Sequence, residues 1–78
     1  MKQSDLKNGL EFSYCTPNTV NDFRVAEASF NNTLNRFCIM FNGKIFSFKT
    51  FLGMKRKLDD LIKKWSLEDI THFVRINH

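Results

Sequence analysis

Asn42-Gly43 lies between two runs of strand-forming residues, Phe37-Cys38-Ile39-Met40-Phe41 and Lys44-Ile45-Phe46-Ser47-Phe48. No other dipeptide in the chain restricts the fold as tightly. A two-residue loop of this kind adopts a type I′ turn, whose central residues both need positive φ and whose twist suits an antiparallel hairpin. The register follows at once: Phe41 opposite Lys44, Ile39 opposite Phe46, Phe37 opposite Phe48. One face of the hairpin is therefore aromatic. The other carries Met40 beside Ile45 and Cys38 beside Ser47, so apolar groups stand on both faces.

A helix is expected directly after the hairpin. Thr50 is placed to cap it, and Phe51, Met54, Leu58, Leu61, Ile62 and Trp65 recur at helical spacing to form one stripe. The opposite side holds Lys55, Arg56, Lys57, Asp59, Asp60, Lys63 and Lys64. Upstream, Leu10 to Cys15 alternates, with Leu10, Phe12 and Tyr14 on one face of a half-buried strand. Thr16-Pro17-Asn18-Thr19 reads as a turn. Phe23 to Phe30 fits a strand better than a short helix, because turn clusters bound it and its ends are aromatic and β-branched.

Both ends of the chain are less constrained. In residues 1–9 only Leu6 is apolar after Met1, so this stretch is expected to be poorly ordered or to form a single turn closed by Asn8-Gly9. Past Trp65, Ser66-Leu67-Glu68-Asp69 resembles a capping sequence, and a short helix from Ser66 is one reading. The preferred reading is a last strand aligning His72, Val74 and Ile76, since residues 71–76 are rich in strand formers.

Seventy-eight residues make one domain, residues 1–78, near the lower size at which a single core holds a fold. The expected fold is α+β: a small antiparallel sheet of three or four strands around the Asn42-Gly43 hairpin, one principal amphipathic helix over about residues 50–65, and a C-terminal strand. This order of elements resembles several unrelated sheet-plus-helix modules. Among them are single-stranded DNA-binding domains in which four strands precede one helix. That resemblance is one of architecture, and it implies a nucleic-acid-binding sheet only as an expectation.

Residues for chemistry are sparse. Cys15, Cys38, His72 and His78 are zinc-ligand types, but none forms the close pair that a zinc knuckle uses, so no metal or other cofactor is expected. Cys38 in a strand interior packs as a small hydrophobe, and Asp69 with His72 reads as a polar turn. No nucleotide or nucleophile motif is present, and the chain is too short to suggest a pocket of roughly 300 Å³ or more. No enzyme and no small-molecule substrate are therefore expected. The absence of a leader-like apolar segment and the two widely spaced cysteines point to a cytoplasmic protein. No apolar run approaches the roughly 20 residues that span a membrane.

Binding functions remain. The net charge of +4 favours acidic partners, and Arg36, Lys49, Lys55, Arg56 and Lys57 are the residues that would track a nucleic-acid backbone. However, Lys55–Asp59, Arg56–Asp60, Asp59–Lys63 and Asp60–Lys64 are all i,i+4 pairs, so much of this charge is matched locally. The apolar second face of the hairpin is the stronger indication, because one helix covers one face of a small sheet and a remaining apolar patch marks an interface. The expected protein-binding residues are Met40, Ile45 and Trp65, rimmed by Lys44, Lys63 and Lys64. The partner is a different protein or a second copy. The small size and Asn-, Lys-, Ile- and Phe-rich make-up suit an accessory protein of a phage or mobile element that modulates a host protein; a basic single-stranded nucleic-acid-binding module is the alternative.

Overall fold

The computed structural model describes residues 2–15 and 23–76. The expected turn at 16–19 and His78 lie outside the described residues. A 3-10 helix, Gln3–Lys7, leads into β1 (Leu10–Cys15), β2 (Phe23–Asn31), β3 (Arg36–Phe41) and β4 (Lys44–Phe48). Helix α1 (Phe51–Trp65), the short strand β5 (Glu68–Asp69) and α2 (Thr71–Ile76) follow. The strands form one antiparallel sheet in the order β4-β3-β2-β1-β5. The α+β expectation holds: among the described residues the sheet has four strands and a short C-terminal fifth.

The hairpin register is as the turn dictates: Phe41 pairs with Lys44, Ile39 with Phe46 and Phe37 with Phe48. Asn42 and Gly43 both take positive φ, 51° and 76°, a pair of conformations that Asn and Gly accept at least cost. Register then sorts every strand into two faces. Leu10, Phe12 and Tyr14 of β1, Ala26 and Ala28 of β2, and Phe37, Ile39 and Phe41 of β3 are buried with Met54, Leu58 and Leu61 of α1. Phe12 sits opposite Ala26, and Leu10 and Ile39 flank Ala28. These small residues in β2 leave room between the large side chains for the helix to seat closely.

Helix α1 begins where Thr50 caps it, the Gly53 N–H donating to Thr50 Oγ1 at 3.1 Å. It ends at Ser66, whose left-handed φ of 52° turns the chain out of the helix. Leu67 is buried immediately beyond, and Ser66 therefore terminates one helix instead of starting another.

The C-terminal segment departs from expectation. A C-terminal strand exists, but it is Glu68–Asp69, paired with Ser13 and Phe12 of β1. Residues 71–76 are helical and not a strand carrying His72, Val74 and Ile76. The cause is local hydrogen bonding. One Asp69 carboxylate oxygen accepts from the Thr71 N–H at 2.9 Å and from its hydroxyl at 2.6 Å, folding the chain into a helical start. The Thr71 hydroxyl also accepts from the Glu11 N–H at 2.9 Å, fastening this start to β1. Side chain–backbone bonding thus overrides the β-propensity of the sequence.

The N-terminal stretch is likewise more structured than its composition implies. Leu6 is buried in the main core, and Gly9, at φ 79°, makes the turn into β1. Lys2 N–H donates to the Asp5 carboxylate at 2.9 Å, closing the 3-10 turn.

Tyr14 couples sheet and turn. Its ring stacks on Phe41 at 4.6 Å, and its hydroxyl accepts a hydrogen bond from the Asn42 N–H at 3.0 Å. Tyr14→Phe keeps the packing and strands that N–H, so we expect a loss of about 1 kcal/mol of unfolding free energy. Denaturant titration checks it, and an unchanged midpoint would show that water replaces the hydroxyl.

Candidate functional site

Residues of odd number in β1 and β2 and of even number in β3 point away from α1, as the pairing register requires. Among the described residues this outer face displays the largest group of exposed apolar side chains, with Leu52 of α1 and Phe73 of α2 exposed on the helices. Phe23 is 74% exposed, Val25 57%, Met40 51% and Ile45 70%. Met40 pairs directly with Ile45, and Glu27 lies opposite Met40. Val25 and Phe23 continue along β2 from Glu27. The four apolar residues thus form a diagonal stripe across three strands. Leu34, in the β2–β3 turn, adds a further side chain, 60% exposed.

Beside the stripe is a groove of about 180 Å³, lined among others by Ser29, Cys38, Leu34, Met40 and Ile45. Its origin is simple. Ser29 and Cys38 are paired across β2 and β3, with Ser47 next to Cys38, so small side chains occupy adjacent positions. Leu34 on one side, and Met40 with Ile45 on the other, stand up as walls. Glu27 leans from the stripe toward β1, its carboxylate 3.8 Å from the place a Cβ on Gly9 would take.

The expected contact residues divide between two layers. Met40 and Ile45 are together on the outer face. Trp65 is half-buried on the opposite side of the sheet, its ring edge-on to Phe41 at 5.2 Å and to Tyr14 at 6.0 Å. It completes the core at the end of α1 and does not adjoin Met40. Lys44 is exposed opposite Phe41, on the α1 side of the register, and Lys63 and Lys64 are exposed on α1. The structure therefore does not form a rim of these lysines around Met40 and Ile45. The residues that do extend the patch, Phe23 and Val25, were not among the expected ones. Their shared parity with Glu27 and Ser29 is the only sequence signal for them, and it cannot say which parity of β2 is buried.

The cationic residues are also dispersed. Arg36 is half-buried on the outer face and donates to the Asn35 carbonyl at 3.3 Å. Lys49 is exposed between β4 and α1, and Lys55, Arg56 and Lys57 are on the helix. Lys57 lies over the Phe46 ring, 4.9 Å from its centre, so Phe46 is covered and does not present an open face for base stacking. Of the four i,i+4 ion pairs expected along α1, Asp60–Lys64 is the one that closes among the described residues, at 3.4 Å. The helix surface is consequently less neutralised than the spacing implies.

A second concavity, about 440 Å³, runs between the N-terminal turn, β1 and α1, lined by Leu10, Phe12, Leu58, Ile62 and Leu67 with Asp5, Asp59 and Asp69. This corrects the expectation of no space so large: a concavity remains between these elements although the inward side chains of β1 are themselves buried. Two of its carboxylates are already engaged, Asp5 with Lys2 N–H and Asp69 with Thr71. Asp69 orients Thr71 and not His72, which is exposed and 6.3 Å ring to ring from Phe73. Cys15 and Cys38 are free thiols. No group of three or more metal-ligand side chains occurs among the described residues.

Among the described residues no helix is long and apolar enough to cross a membrane. No family model, curated protein or solved structure matches the chain.

Proposed function

We propose that this chain is a non-enzymatic interaction module that binds another protein through the outer face of its sheet. The carrying observation is the exposed stripe of Phe23, Val25, Met40 and Ile45. An apolar patch that spans three strands is unusual on a monomer and is characteristic of interfaces. Small size and an Asn-, Lys-, Ile- and Phe-rich composition support the narrower reading of a phage or mobile-element accessory protein that modulates a host factor. Two free, widely spaced cysteines support a cytoplasmic setting.

The test is affinity capture from host lysate with the wild-type chain and with Met40→Lys/Ile45→Lys. Both changes are at exposed positions, and circular dichroism should show an unaltered fold. A protein retained by the wild type and lost by the variant supports the reading. Equal retention by both places the binding surface elsewhere.

A second reading rests on the helix charge that local ion pairs leave unmatched: single-stranded nucleic-acid binding through Lys49, Lys55, Arg56 and Lys57. It requires an oligonucleotide to bind at low salt with an affinity that falls steeply as salt rises. No binding at low salt eliminates it.

A further inference from the structure

We infer that the outer sheet face is occupied by a second copy of this chain, packed face to face about a twofold axis. The inference rests on the interaction reading above and names its partner. Phe23 and the Ser29–Cys38 groove lie on the same face, on opposite sides of the row formed by Glu27, Met40 and Ile45. Phe23 and Ser29 are on one strand, six residues apart, or roughly 20 Å along it. An axis crossing β2 near Ala26, perpendicular to the strands and in the plane of the interface, carries each Phe23 over the other copy's groove. The patch is then self-complementary, as an isologous interface requires.

Size and chemistry agree with this pairing. The groove, about 180 Å³, suits one aromatic side chain; Leu34, Met40 and Ile45 give it apolar walls, and Glu27 and Asn31 add polar lining. Phe23 is the most exposed large apolar residue among those described. Taking about 150–200 Å² for a large side chain, the exposed fractions of Phe23, Val25, Leu34, Met40 and Ile45 give roughly 500 Å² per copy. Two copies would bury about 1,000 Å² of apolar surface, the lower bound for a specific interface. Glu27 lines the groove, and its carboxylate, directed toward Gly9, stands at the polar edge of the contact. Both α1 helices remain on the outside, with Arg56 and Lys63 exposed.

Sedimentation equilibrium of the full chain from micromolar to millimolar concentration tests the proposal. The wild type should reach a dimer, with dissociation in the micromolar range. Phe23→Lys, which removes the inserted side chain, and Ser29→Trp, which fills the groove, should each weaken the dimer at least tenfold. If each blocks the same contact in trans, the double variant should be little worse than either alone. Lys63→Glu on the helix should leave the dimer intact. A wild type that stays monomeric at millimolar concentration overturns the inference. So does a dimer that tolerates Phe23→Lys and Ser29→Trp but is lost on Ser47→Pro, since that result assigns association to the open β4 edge. A monomeric wild type whose captured partner is still lost on Met40→Lys/Ile45→Lys overturns self-association alone. Capture unaffected by those changes defeats the wider reading.

Discussion

Ile39→Ala is expected to lower the unfolding free energy by about 3–4 kcal/mol, the transfer loss of a buried branched side chain plus the cavity it leaves. Ile39 is wholly inaccessible to solvent, paired with Ala28 on one side and Phe46 on the other. It belongs to the same cluster as Met54 and Leu58 of α1. The surroundings cannot close readily over the gap, because the Ala28 methyl has no rotamer that reaches into it and the backbone is held by strands on both sides. For a chain of this length the whole stability is on the order of 4–12 kcal/mol. The variant should therefore populate unfolded chains without denaturant, or sit close to doing so. Urea titration followed by circular dichroism measures it, and Ile39→Val should cost about 1 kcal/mol on the same scale. Ile45→Ala is the internal comparison. It changes the same residue type in the same hairpin, but at a site 70% exposed, and should shift stability by less than about 0.5 kcal/mol. Similar losses at the two positions would mean that the faces of the hairpin are assigned the wrong way round.

The second large effect concerns the N-terminus. Leu6→Ala is expected to cost about 2–4 kcal/mol. Leu6 is 1% exposed and is the buried residue of the Gln3–Lys7 turn, so its side chain anchors that turn in the core. Its loss leaves an apolar gap against β2, and the bonds from Lys2 to Asp5 and from Gly9 to Leu6 hold the turn's shape but do not attach it. Hydrogen exchange should report the change locally as well. The Gly9 amide, bonded to the Leu6 carbonyl at 3.2 Å, should lose protection beyond what the global destabilisation explains. Removing residues 1–7 should match the single substitution in stability. A truncated chain as stable as the full one would show that the turn is an appendage.

These two positions illustrate what is legible in a single sequence. Ile39 could be placed because Asn42-Gly43 fixes the register of its hairpin, and register assigns every side chain to a face. The same reasoning located the stripe of α1, the Thr50 cap and the buried face of β1. It failed at Leu6, where one leucine among polar residues gives no periodic signal. It also failed over 71–76, where strand formers are helical because Asp69 and Glu11 engage Thr71. At the candidate site it found Met40 and Ile45 but grouped them with Trp65, which the structure puts in the other layer against Tyr14 and Phe41. It missed Phe23 and Val25 because the large residues of β2 are on the outside and the alanines are within. Phenylalanines from β1, β3 and β4, with the side chains of α1, already fill the space above β2, so only small residues fit there.

The amino-acid sequence by itself determined the hairpin, its pairing and the amphipathic helix, since turn chemistry and periodicity are local properties. The tertiary structure alone decided which parity of β2 is buried, where the chain ends are fastened, and that Phe23 and Val25 join Met40 and Ile45 in one exposed stripe. Those outcomes depend on the volume left by neighbouring strands and on hydrogen bonds between residues as far apart as Glu11 and Thr71, which no local pattern encodes.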